Sequence, residues 1–185
     1  MINEKLTVMG NHNLIDQEAL YTHIYKSLKW TVRLRGNINK EFVRRNTTNT
    51  ALKYHPIWLA KTLVIADRKP FAPKKTPNMV FVDAISGYRG IISKIPETAE
   101  VKVHKNQVIS ANIIDDNAIV DYIRDVQVKQ INRSYVLKKP RHEIVEYFLV
   151  YLPLWIGKVS SQEMVKEFTI NANTGESEEY MASLW

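Results

Sequence analysis

Cysteine is absent from this 185-residue chain. That excludes a disulfide framework, thiolate chemistry and any cysteine-ligated zinc or iron–sulfur site. Glycine is scarce, at six, and no G-x-G-x-x-G or G-x-x-x-x-G-K-[ST] phosphate loop occurs. The five histidines, His12, His23, His55, His104 and His142, include no pair in H-x-H or H-x-x-x-H spacing. His142-Glu143 does not open an H-E-x-x-H zinc helix, because Glu146 stands where the second histidine is needed. No G-x-S-x-G elbow is present. The chain is therefore read as non-catalytic, with no metal and no cofactor. Apolar runs are also short. Tyr147 to Val159 is interrupted by Pro153 and Lys158, far from the roughly 20 apolar residues that cross a bilayer. Met1-Ile2-Asn3-Glu4-Lys5-Leu6 lacks the basic and apolar regions of a signal peptide. A cytoplasmic protein without a membrane span is expected.

What is present is an ordinary globular balance, 45% hydrophobic and 24% charged residues, enough to build a core. The formal charge is +7 and unevenly spread. Residues 1–95 hold 16 Lys+Arg against 6 Asp+Glu, and residues 96–185 hold 10 against 13. The excess lies between Tyr25 and Lys75. Lys26, Lys29, Arg33, Arg35, Lys40, Arg44, Arg45 and Lys53 occur there beside Trp30 and Tyr54. Basic residues next to aromatics can track phosphates and stack bases, so this is a candidate polyanion surface. A solvated face with no partner is the alternative.

Three segments recur in order. Asn13-Leu14-Ile15-Asp16 through Leu20 matches Asn112-Ile113-Ile114-Asp115 through Ile119. Tyr54-His55-Pro56-Ile57-Trp58-Leu59-Ala60-Lys61 matches Tyr151-Leu152-Pro153-Leu154-Trp155-Ile156-Gly157-Lys158. Val82-Asp83-Ala84-Ile85-Ser86-Gly87 matches Ile170-Asn171-Ala172-Asn173-Thr174-Gly175. The offsets are 99, 97 and 88, and the drift falls in the excursion Asp67 to Lys75, which the second copy replaces by Ser160 to Glu163. A repeat this long means a duplicated domain rather than a solenoid. The expected domains are 1–97, basic, and 98–185, slightly acidic.

Each copy reads as one helix followed by strands. Asp16 and Asp115 are N-caps ahead of helical spacing at Ala19, Leu20, His23, Ile24 and at Ala118, Ile119, Tyr122, Ile123. A polar stretch follows, Gly36 to Thr50 and Asn132 to His142. Extended segments come next, with Pro56 and Pro153 expected at a bulge or an edge. Val80 to Ala84 and Phe168 to Ala172 continue into glycine turns at Gly87 and Gly175. Tyr88 to Ile95 and Glu179 to Leu184 are expected as closing strands, and Glu100 to Ile109 as a connection that can add one more. The fold class is α+β: two tandem copies of a helix packed on an antiparallel sheet, related by a pseudo-twofold.

The hairpin ending in Asp83-Ala84-Ile85-Ser86-Gly87, with its counterpart Asn171-Ala172-Asn173-Thr174-Gly175, resembles the closing signature of PepSY-type domains, a strand ending in an Asp-Ala-x-Thr-Gly turn. The helix-first order is similar too. The resemblance covers about a third of each copy. It implies a small helix-on-sheet module of PepSY-like or cystatin-like kind, non-catalytic and engaged in binding other proteins. Asn171 replaces the turn aspartate in the second copy, and the Tyr-x-Pro-x-Trp-x-x-Lys element is not a feature of that signature.

Two residue sets are candidate sites. The first is Tyr54, Trp58, Lys61 with Tyr151, Trp155, Lys158: either core aromatics or platforms for a protein or peptide ligand. The second is the polyanion set Lys26, Lys29, Arg33, Arg35, Arg44, Arg45 and Lys53, for which nucleic acid is the expected partner. A small-ligand-binding protein or an enzyme, using a cavity between helix and sheet, is a third reading. Asp115, Asp116, Asp121 and Asp125 are read as a solvated helix start favoured by the dipole, and Glu176, Glu178 and Glu179 as exposed strand and turn. An open strand edge can pair two chains, so a homodimer is also an expectation.

Overall fold

A computed structural model describes residues 3–10, 13–93 and 95–185; Asn11, His12, Lys94 and the first two residues lie outside the described residues. The strands are β1 (Asn3–Met9), β2 (Thr47–Arg68), β3 (Phe71–Asp83), β4 (Arg89–Ile92), β5 (Thr98–His104), β6 (Arg141–Ser160) and β7 (Val165–Asn171). The helices are α1 (Gln17–Ser27), α2 (Trp30–Arg33), α3 (Lys40–Asn46), α4 (Asp116–Lys129) and α5 (Glu179–Ala182). Helix and an antiparallel-rich sheet make the class α+β. Hydrogen-bonded neighbours run β4-β3-β2-β6-β1-β5, with β7 paired to β6. Among the described residues no helix is long and apolar enough to cross a membrane.

The helices start where their caps dictate. Asp16 accepts the Ala19 amide at 2.7 Å and Asp115 the Ala118 amide at 2.9 Å. Each cap satisfies one of the orphan donors of a first turn, which contributes about 1 kcal/mol. Asn39 does the same for α3 through the Phe42 amide, so the polar stretch Gly36 to Thr50 holds a helix.

Two compact units form, and neither is a continuous stretch. The first comprises 1–55, 98–109 and 151–185; the second comprises 56–97 and 110–150. This differs from the division at 97/98 expected from the repeats. In the first unit Leu20 and Ile24 of α1 and Leu28 just after it pack with Val43 on Val159, Phe168 and Ile170, so α1 lies on β7. In the second, Ile119, Ile123 and Val126 of α4 pack on Ala60, Val80 and Val82, so α4 lies on β2 and β3. Each buried aliphatic contributes about 1.5–3 kcal/mol. The first unit also has a cluster of Leu6, Val8, Tyr54 and Val103, where β1 and β5 pair antiparallel from Asn3↔His104 to Met9↔Thr98.

The physical reason lies in the closing turns. In the second unit the Ile113 amide donates to Ala84 O at 2.8 Å and the Ala84 amide to Pro56 O at 3.1 Å. In the first, the Ile15 amide donates to Ala172 O at 2.8 Å and the Ala172 amide to Pro153 O at 2.9 Å. The chain entering each helix is thus tied to a distant turn, Ile15 to Ala172 for α1 and the much nearer Ile113 to Ala84 for α4. Asp83 Oδ1 accepts from the Ile85 and Ser86 amides at 2.8 and 3.1 Å; Asn171 Oδ1 accepts from the Asn173 and Thr174 amides at 3.0 and 3.3 Å. Either side chain supplies the one acceptor that this turn needs.

Three expectations change. Pro56 and Pro153 lie inside continuous strands, each one residue before the ladder that begins at Ile57↔Asp83 or Leu154↔Asn171, so neither of those ladders needs an amide from the proline. The irregularity in β2 falls instead between Ala66 and Arg68. Glu179 to Ala182 is a helix, not a strand, and only Ser177 bridges back to Ile170. The closing strand near Tyr88 is confined to β4, which pairs with β3 from Met79↔Ile92 to Val82↔Arg89.

Candidate functional site

The repeated aromatic set is divided between the two units and serves packing. Tyr54 is 5% exposed in the cluster with Leu6 and Val8, and burial pushes its phenol pKa up. Tyr151 is half-buried against the same cluster; burial, then the Glu4 charge, raises its pKa. Trp58 donates its indole N–H to Ile113 O at 2.8 Å, and Trp155 donates to Ile15 O at 3.2 Å. Both indoles therefore hold the segment that enters a helix, and their polar handles are used internally. Lys61 is exposed, paired with Glu146 and 5.5 Å from the Phe148 ring centre. Lys158 is half-buried opposite Glu167, beside a hollow of about 370 Å3 that Phe168 and Trp185 also line.

Of the basic set, three cations are spoken for. Arg44 lies 3.4 Å from Glu18 and Arg45 2.9 Å from Glu41, and Lys53 Nζ donates to Asn106 O at 2.5 Å. Lys40 reaches Glu18 at 3.8 Å. Lys26, Lys29, Arg33 and Arg35 are exposed, and none forms an ion pair among the described residues. They flank Trp30 in the sequence, and Trp30 is 67% exposed. Trp30 and Arg33 are three apart on α2 and so share a face.

The acidic candidates are structural. Asp115 is a cap, Asp116 accepts from the Tyr147 hydroxyl, and Asp121 reaches Arg124 at 3.5 Å. Asp125 bridges Arg89 at 2.7 Å and Lys129 at 2.6 Å; hydrogen bonds from Lys129 and Arg89 hold its pKa below the usual carboxylate range. No cluster of His, Asp and Glu suited to a metal exists among the described residues. Glu178, expected exposed, is half-buried; burial raises its pKa, against the Asn171 hydrogen bond and the His55 charge. His55 is fully buried, with Trp185 stacked on it at 4.2 Å between ring centres.

One surface was not expected at all. In the second unit a groove of about 590 Å3 is lined by Lys61, Thr62 and Leu63 of β2, Pro77, Asn78 and Met79 of β3, Ile91 and Ile92 of β4, Ser93, Ile95 and Val145. Strand alternation explains it. Ala60 pairs with Val80 on the face under α4, so Lys61–Met79 and Leu63–Pro77 point to the other face. That face carries an apolar floor and the exposed Ile95 and Val145. Alternating apolar residues in a strand look the same in sequence whether a helix covers them or not, so no local signal marks the groove.

The chain matches no protein-family model, no curated protein and no solved structure.

Proposed function

We propose that this chain is a non-catalytic binding module, built from two tandem copies of one α+β unit, and that the groove of its second unit takes an extended peptide with apolar side chains. The observation that carries the reading is the floor of Leu63, Pro77, Met79 and Ile92 on a sheet face that α4 does not cover. A groove of this size, mostly apolar with a few polar groups at its rim, is the usual form of a ligand site. The tandem origin is supported by the matched caps at Asp16 and Asp115 and the matched indole bonds of Trp58 and Trp155. The role is of the kind that PepSY-like and cystatin-like modules imply. Selection of random peptides on the full chain is expected to enrich sequences with apolar residues at alternate positions. Their affinity is expected to fall about tenfold or more in Val145→Asp, since an apolar peptide side chain would then be set against a carboxylate that binding must desolvate. Enriched peptides that bind Val145→Asp as tightly as the parent chain would remove the groove from consideration.

A second reading, polyanion binding by the first unit, is favoured by one observation: the exposed Trp30 among four cations without carboxylate partners. Phosphates would meet Lys26, Lys29, Arg33 and Arg35 while a base stacks on the indole. A labelled single-stranded oligonucleotide is expected to bind with log K falling against log salt at a slope of about −3, from four contacts at roughly 0.7 each. Trp30→Ala is expected to weaken binding by about 1–3 kcal/mol. Affinity indifferent to salt, or to Lys29→Glu with Arg33→Glu, would count against this surface.

A further inference from the structure

One end of the second unit gathers exposed apolar side chains inside a field of cations. The turn Lys69-Pro70 joins β2 to β3, with Arg68 opposite Phe71 and Lys74 opposite Ala66. The segment 133–141 comes to the same place, because Lys138 Nζ lies 2.6 Å and Arg141 3.9 Å from the Asp67 carboxylate. Segments 67–75 and 133–141 together hold eight Lys and Arg and one carboxylate, Asp67. Phe71 is 70%, Val136 89% and Leu137 100% exposed.

The loop that presents Val136 and Leu137 is tied down. Lys139 Nζ donates to Asn132 O at 2.9 Å and Tyr135 O at 2.7 Å. His142 Nε2 is 2.9 Å from Asn132 Oδ1, and Pro140 is buried. Single exposed apolar residues are normal, but an exposed pair adjacent in the chain, Val136–Leu137, on a segment tied to the strand end that carries Phe71, marks an interaction surface. The charge selects an anionic partner. The side-chain types then select its class. A base could stack on Phe71, but Val136 and Leu137 have no π face and no hydrogen-bonding group, so a nucleic acid would leave those two unrewarded. A bilayer with anionic lipid rewards both: the cations at the headgroups and the aliphatic side chains just beneath. We infer that the Phe71 and Val136–Leu137 end of this unit docks on the surface of an anionic lipid bilayer, inserting those side chains without spanning it.

The inference does not depend on the peptide groove or on Trp30. Sedimentation of the full chain is measured with vesicles of phosphatidylcholine alone and of phosphatidylcholine mixed with phosphatidylserine, at low and moderate salt. Binding is expected only to the mixed vesicles, and to weaken as salt rises. Lys69→Glu with Lys74→Glu, and separately Val136→Ser with Leu137→Ser, are each expected to lower the partition coefficient about tenfold or more. Leu137→Trp, which places an interface-favouring ring at the tip, is expected to raise it. All these positions are exposed, and an unchanged circular dichroism spectrum establishes that the fold is kept. No sedimentation with mixed vesicles at low salt overturns the inference. So does a Val136→Ser, Leu137→Ser chain that sediments like the parent, because the cations would then act alone. Oligonucleotide binding lost in Lys69→Glu with Lys74→Glu, without any vesicle binding, would assign this end to nucleic acid instead.

Discussion

Phe168→Ala is expected to lower stability by about 3–5 kcal/mol, the range for truncating a fully buried aromatic. Phe168 is 2% exposed and heads the fully buried side chains by volume. It sits on β7 directly opposite Gly157 of β6, and a Cβ at 157 would come within 2.6 Å of its ring Cζ. The ring therefore fills the space that the missing side chain leaves. Around it stand Leu20 and Ile24 from α1, Val43 from α3 and Val159 from β6. A cavity walled by helices and strands on several sides collapses poorly, so both the transfer loss and the cavity loss apply. Phe168→Leu retains most of the volume and is expected to lose less than about 1.5 kcal/mol. Urea unfolding followed by circular dichroism measures both. At the size of this chain, each kcal/mol lowers the melting temperature by about 2–4 °C. A loss below about 1 kcal/mol for the alanine variant would mean that the ring is not packed as described.

Gly157 also shows where sequence reading reached and where it stopped. Its position matches Ala60 in the repeat, yet nothing in that match says that Phe168 needs the space. Local signals were legible. Asp16 and Asp115 cap their helices, and Gly87 and Gly175 take positive φ in the turns expected of them. Those features are decided within a few residues. Which helix covers which strands was not legible, because Leu20 and Ile24 have the same spacing as Ile119 and Ile123. An apolar stripe fits either sheet, and the choice rests on amide bonds such as Ile15 to Ala172. The candidate surfaces divide the same way. Charge at Lys29 and Arg33 can be read directly, but only geometry reveals that Arg45 is neutralised by Glu41 while those two are not. Hydrophobic residues carry no mark of exposure, so nothing in the sequence distinguishes Phe71 or Leu137 from a core residue.

Gly175→Ala is expected to destabilise the chain by about 2–5 kcal/mol, and clearly more than Gly87→Ala. Both glycines occupy the same position of equivalent turns, at φ 75° and 72°. Each amide closes its turn, Gly175 N on Asn171 O at 2.8 Å and Gly87 N on Asp83 O at 2.9 Å. The left-handed backbone alone costs an alanine about 1–2 kcal/mol, and that part is common to both. The neighbours differ. At Gly87 a new Cβ would lie 3.1 Å from the Tyr122 ring, a tight contact that a small ring shift relieves. At Gly175 it would fall well under 3.0 Å from Cε1, Nδ1 and Nε2 of His23. His23 belongs to α1, whose next residue, Ile24, is in the core, so the helix backbone stays in place and the ring itself must leave for another rotamer. Overpacking of this kind adds about 1–3 kcal/mol. A double-mutant cycle separates the two parts. His23→Ala combined with Gly175→Ala should recover the overpacking loss and leave the backbone loss. Equal losses at the two glycines, with no recovery in the double variant, would mean that His23 yields freely and that backbone conformation alone sets the requirement for glycine in both turns.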